Sequence, residues 1–185
     1  MSDELEIVVT AKRLPRITAR IACELIAHEG IVREAYKDSV GVWTWSVGLA
    51  ETGGFDVMQY KDNPAPLDVC LGAYLDALQK QYLPAVLRAF PGHLEEHQLA
   101  GLLSFHYNSG AIGRLKANDM DFLQWKRPPE IIERRKRERD LYLNGHWSGD
   151  GHATVYERVR KPSYQIDWRS AKRIDVKSII EGLLP

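Results

Sequence analysis

The sequence predicts an α+β fold, mostly helical, with a small antiparallel β-sheet lobe and a cleft between two lobes. Apolar residues recur at helical spacing in ITARIACELIAHE (17–29), from Leu67 to Leu83 and from Leu94 to Tyr107. Tyr36 to Gly48 is different, rich in aromatic and β-branched residues and punctuated by Gly41 and Gly48, and predicts a short hairpin or small sheet. With 185 residues, 44% of them hydrophobic, and neither repeat nor low-complexity tract, the chain can bury one substantial core split around a cleft.

Taken in order, Thr18 is a natural N-cap for the first helix, Ile21, Leu25 and Ile26 form its apolar face, and Gly30 is suited to end it as C′. Glu29 then falls at the helix C-terminus, where the negative end of the dipole favours a protonated acid. Glu51 to Pro66, with Gly53, Gly54, Asn63 and two prolines, predicts irregular chain. The helix from Leu67 to Leu83 would link the lobes, with Pro84 interrupting it before a short helix through Phe90. Pro91-Gly92 predicts a turn before the central helix, and Pro128-Pro129 introduces a helix over about residues 130–144. In GHWSGDGHATVYERV (145–159) a hairpin is expected around Asp150-Gly151, followed by an amphipathic segment from Asp175 to Leu184.

The chemistry concentrates in EGIVREAYKDSVGVWT (29–44), which sets Glu29, Asp38 and Thr44 in the order Glu-x8-Asp-x5-Thr. Cleaving an acetal takes one carboxylic acid to protonate the leaving oxygen, one carboxylate to activate water or support the developing cation, and polar groups to aim the attack. Taken singly, the three could be a surface acid, a turn cap and a strand residue. Trp43 and Trp45 flank Thr44 and share the opposite strand face, which favours packing over sugar stacking.

EGIVREAYKDSVGVWTWSVG, LLSFHYNSGAIG (102–113, with Phe105, Asn108 and Gly110) and RRKRERDLYLNG (134–145) occur in this order. Together they resemble the signature, central helix and arginine-pair helix of the phage-type lysozymes, glycoside hydrolase family 24, which includes many endolysins. The resemblance implies a lysozyme-like fold and a muramidase acting on peptidoglycan glycan strands, with Glu29 as general acid, Asp38 holding or activating water and Thr44 orienting it. It also implies that Arg134 pairs with Glu29 and that Asn108 and Tyr107 contact sugar, although Tyr107 serves equally as a core residue. The rest of ERRKRERD alternates sign at helical spacing and predicts a solvated helix face. The implied organisation is one domain over 1–185, comprising an N-terminal extension (1–15), the family core (16–147) and a C-terminal extension (148–185). Two departures stand out. Leu49 replaces a histidine that many members carry, and the chain is short between Gly113 and Trp125, which predicts a trimmed larger lobe. The C-terminal extension is expected to pack onto that lobe with Val155, Tyr156, Tyr164 and Trp168 as anchors; Trp125 and Trp147 would close its core.

Lys plus Arg and Asp plus Glu both total 25, so nothing in the overall charge calls for nucleic acid or anionic lipid. The distribution is uneven, with 11 basic and 16 acidic residues up to Trp125 and 14 and 9 beyond it, and the basic end would favour an anionic wall. No stretch is apolar enough for a signal peptide or stable membrane insertion, so the expected location is the host cytoplasm until a holin releases the protein to the wall. Cys23 and Cys70 are expected as reduced, buried residues, and the lone His93/His97 pair as surface histidines. Neither metal nor cofactor is called for, and a monomer is expected. The alternatives are a transglycosylase of the same fold, which needs no Asp-Thr pair, and an inactive wall-binding or virion structural protein.

Overall fold

The computed structural model describes residues 15–115 and 121–185, among which the chain forms six α-helices and seven strands. Most of the expected N-terminal extension, and residues 116–120 of the shortened segment, lie outside the described residues.

Helix α1 (Ala19–Ile26) starts as expected, with Thr18 Oγ1 accepting from Ile21 N at 3.2 Å, and buries Ile21, Leu25 and Ile26 completely. It ends one turn earlier than its apolar pattern suggests. Residues 27–29 form a turn in which Glu29 N and Gly30 N donate to Ile26 O, so Gly30, at φ +81°, closes this turn three residues past the Ala27 cap and is not the C′ residue expected. Strand β1 (Ile31–Lys37) pairs antiparallel with β2 (Trp43–Ser46), and β2 with β3 (Leu49–Ala50), giving the expected hairpin with Tyr36 opposite Thr44. Leu49 is buried at 1% exposure, packing in the core.

Helix α2 (Leu67–Ala77) runs through a π-helical turn (Leu78–Tyr82) directly into α3 (Leu83–Ala89). The expected interruption at Pro84 is therefore absent. Leu83 N donates five residues back to Leu78 O, and Pro84 occupies the first turn of α3, where the helical ladder changes register and its missing N–H costs little. Helix α4 (Glu96–Ser109) opens with a capping box between Glu95 and Gln98 and closes on Gly110 at φ +65°. Against it lies α5 (Ile132–Asn144). A Cβ on Gly101 would come within 3.0 Å of Glu138 O, so this glycine sets how closely the two helices approach.

The C-terminal extension overturns three expectations. Asp150-Gly151 is not a hairpin tip but leads into β4 (His152–Tyr156), which pairs in parallel with β1, Ile31 opposite Val155. After a small hairpin of β5 (Val159–Arg160) and β6 (Gln165–Ile166), β7 (Ala171–Asp175) returns antiparallel to β4. The sheet is thus mixed and five-stranded, in the order β3-β2-β1-β4-β7, where a small antiparallel one was expected. The extension also packs on the sheet and, through α6 (Lys177–Leu183), on α1 and α2, not in the gap near residues 113–125. Of its expected anchors Val155 is fully buried and Tyr156 and Tyr164 are half-buried, but Trp168 is 63% exposed.

Its attachment to α1 is polar. Glu24, 2% exposed, accepts from Ser148 N (2.8 Å), Ser148 Oγ (2.6 Å) and Gly149 N (2.6 Å). Burial opposes the charge on Glu24, yet hydrogen bonds from His28, Ser148 and Gly149 more than offset it and hold the carboxyl below its ordinary range. A Cβ on Gly149 would stand 2.8 Å from Glu24 Cα, so only glycine lets the chain come this close. Cys23 and Cys70 are free and buried, as expected, and burial raises their thiols to about 11 and about 12.

Candidate active site

Glu29 projects from the turn between α1 and β1, with a side chain 21% exposed. Its Oε1 accepts from Arg134 Nη1, while its Oε2 has no hydrogen-bond partner among the described residues. Arg134 in turn donates through Nε to Glu138 Oε1 (3.0 Å) and through Nη2 to Ser104 O (3.3 Å). Ser104 Oγ donates to the same Glu138 oxygen at 2.8 Å, so the guanidinium is gripped by α4 and α5 together. Burial pulls the Arg134 pKa down, but the charges and hydrogen bonds of Glu29 and Glu138 outweigh it and leave it raised. Arg134 therefore stays a fixed cation beside Glu29.

Sequence reasoning missed Glu138 and Ser104. The run ERRKRERD alternates sign as an exposed helix does, and Lys136 with Glu133 (2.7 Å) fits that expectation. Arg135 and Glu138 do not, being only 2% exposed each. Arg135 bridges Glu138 and Asn108 Oδ1, so the expected sugar-contacting Asn108, exposed at the end of α4, is oriented by the buried network. The available signal was the i, i+4 spacing of Arg134 and Glu138, but only the close approach at Gly101 turns that spacing into burial.

Tyr107, the other expected sugar contact, donates its hydroxyl to Val47 O and joins a cluster with Tyr74 and Tyr82. This ties α4 to the β2–β3 turn. Burial and then nearby charges, including Glu29, push the Tyr74 and Tyr107 hydroxyls well above their ordinary range.

Asp38 follows β1 in the turn to β2. Its Oδ1 accepts from Val40 N (2.9 Å) and Val42 N (2.8 Å), and no hydrogen bond reaches Oδ2 among the described residues. Val42 O accepts from both Asp38 N (3.0 Å) and Thr44 Oγ1 (3.2 Å), so one peptide fixes the aspartate and the threonine. Thr44 is 4% exposed and stands opposite Tyr36 in the sheet. Tyr36 itself is half-buried. Burial, then the charges of Glu29 and Asp38, raise its hydroxyl to about 12. Trp43 and Trp45 pack as their alternation implies, Trp45 stacking on Tyr60 at 3.6 Å and Trp43 edge-on to Tyr164 at 5.1 Å. Trp125 and Trp147 pack against the core, Trp125 edge-on to Phe105 and Trp147 under the guanidinium of Arg20.

A helical lobe joined to a small sheet, with one acid held by an arginine and another by a strand turn, defines a lysozyme-like protein. The profile of the phage lysozyme family matches residues 26–138, and the chain belongs to that family. It is, at the level of the family, a peptidoglycan-degrading glycosidase. The fold is similar to the crystal structure of a mutant of P22 lysozyme (TM-score 0.58, 24% identity, covering 71% of this chain and 100% of that one). It is similar too to the endolysin of Escherichia coli O157:H7 phage FAHEc1 (TM-score 0.58, 18% identity, covering 74% and 98%). No curated protein sequence matches the chain. No helix among the described residues is long and apolar enough to cross a membrane.

Proposed function

We propose that this protein is a muramidase that hydrolyses the β-1,4 bond between N-acetylmuramic acid and N-acetylglucosamine with inversion at the anomeric carbon. The observation that carries the reading is a pair of carboxyls each held through one oxygen, Glu29 by Arg134 with Oε2 open and Asp38 by the Val40 and Val42 amides with Oδ2 open. Glu29 gives its proton to the leaving oxygen, and Arg134 holds the carboxyl so that the open oxygen faces the bond. Asp38 takes a proton from water, which attacks the opposite face of the sugar, and Thr44 Oγ1 steers that water. Asn108, held by Arg135, contacts the sugar; Tyr107 supports the cleft from within. In the phage cycle the enzyme acts as a monomer that waits in the host cytoplasm for a holin and then lyses the cell.

The decisive experiment is NMR of the first-formed product on purified cell walls. An initial α-anomer is the expected result. An initial β-anomer would make Asp38 a nucleophile, and a 1,6-anhydro sugar would make the enzyme a transglycosylase.

A further inference from the structure

The C-terminal extension builds a wall beside Asp38 that the roles above leave unused. A pocket is lined on one side by Tyr36, Lys37 and Asp38 and on the other by Arg160, Gln165 and Trp168. Trp168 is the one exposed tryptophan of the five in the chain. Leaving an indole in water is unfavourable, and here the ring is braced there. Tyr156 meets it edge-on with centroids 5.2 Å apart, and the 3-10 turn that carries it is capped by Asp167, which accepts from Arg169 N at 3.1 Å. Ser170 Oγ, donating to Asp167 O at 2.7 Å, ties the same turn from within.

The wall is fixed to β1 through Tyr164. Its carbonyl accepts from Lys37 N (2.7 Å), its N–H donates to Arg160 O (2.7 Å) and its hydroxyl reaches Asp62 (3.0 Å). Tyr164 takes φ +56°, a left-handed conformation that side-chain-bearing residues rarely adopt, and these bonds hold it there. Arg160 Nη2 donates to Gln165 Oε1 (3.0 Å), which leaves the Gln165 amide N–H groups free to donate. Cations outnumber acids around the ring, with Lys37, Arg160 and the neighbouring Arg169 set against Asp38 and Asp167. A rigid exposed aromatic face bordered by guanidinium, ammonium and amide donors suits a sugar ring that carries an acidic peptide.

We infer that this pocket is an accessory subsite for a peptide-bearing muramyl residue, whose ring lies on Trp168 and whose stem-peptide carboxylate meets Arg160, next to the bond that Asp38 serves. The inference rests on the muramidase reading and adds to it a role for the extension in choosing substrate.

The test uses the full chain with Glu29→Gln, so that binding is read without turnover. It is titrated by calorimetry with two ligands, a muramyl tetrasaccharide carrying stem peptides and the tetramer of N-acetylglucosamine. The muramyl ligand should bind more tightly than the tetramer. Added Trp168→Ala or Arg160→Ala should each weaken the muramyl ligand about tenfold, the size of one stacked ring or one charge-assisted hydrogen bond. Arg160→Ala should leave the tetramer unchanged, and the exposed positions should leave the melting temperature unchanged. If the parent binds the muramyl ligand and both added substitutions leave its affinity intact, the subsite is wrong while the muramidase reading stands. If the parent binds neither glycan, both readings fall.

Discussion

Around Glu29 the fixing groups are side chains drawn from distant helices, whereas around Asp38 they are backbone amides of a single turn. Arg134 reaches Glu29 across 105 positions of sequence, and its own partners, Ser104 and Glu138, come from α4 and α5. Asp38 is held by N–H groups two and four residues away. The geometry of Glu29 is thus only as good as the packing of two helices, while that of Asp38 survives wherever the hairpin forms. The lesson is that damage at the first site should spread into stability, and damage at the second should remain local.

The sharpest break is at the acid itself. Glu29→Gln keeps shape and can still accept from Arg134, yet has no proton to give, so lysis of purified walls should fall by roughly 10²–10⁴-fold with an unchanged melting temperature. Near-normal turbidity loss would end the assignment. Arg134→Met comes next. It leaves Glu138 with Arg135 as its remaining cation and Glu29 unheld, and should cost about 1.5–3 kcal/mol in a denaturation midpoint as well as activity. A variant as stable as the parent would show that the network is not structural.

Asp38 offers the contrasting case. Asn in its place can still accept from Val40 N and Val42 N, so Asp38→Asn should lose roughly 10²-fold in rate with little change in stability. Asp38→Ala should lose a further ~1 kcal/mol of stability with the turn. Equal stabilities for the two variants would mean that the amides are not what holds this residue.

An effect on stability alone is expected at Glu24, whose pKa is lowered in the folded state. Its stabilisation is fully present above the unfolded value of about 4.5 and disappears as pH falls through the lower folded value. Glu24→Gln should cost about 2 kcal/mol near neutrality and flatten the acid limb of the melting temperature against pH. An unaltered acid limb would move the pH dependence to other groups.

Locally coded features were legible in the sequence. The Thr18 cap, the Tyr36–Gly48 hairpin and the Pro91-Gly92 turn each depend on residues within a few positions of one another. What escaped depends on partners far away. HATVY reads as a strand, but nothing in it names β1 as its neighbour. Glu138 looks solvated until Gly101 brings α4 against it, and Pro84 looks like a break until a π-helical turn absorbs it. Trp168 was expected as an anchor because a large aromatic side chain is usually buried, yet Asp167 and Arg169 flank it. For the site, the same division holds: Arg134 was legible through family likeness, whereas its grip by Ser104 and Glu138 was not.

The parallel pairing of β1 with β4 also sets a clock on synthesis. Glu24 waits for Ser148, 124 positions later, and Ile31 for Val155. At about 5–20 residues per second, β1 spends roughly ten seconds on the ribosome with one edge unpaired. An open strand edge invites neighbouring nascent chains, so the interval is one of exposure to misassembly. A chain arrested before His152 would keep that edge permanently, and precipitation would be its first symptom, ahead of any loss of catalysis.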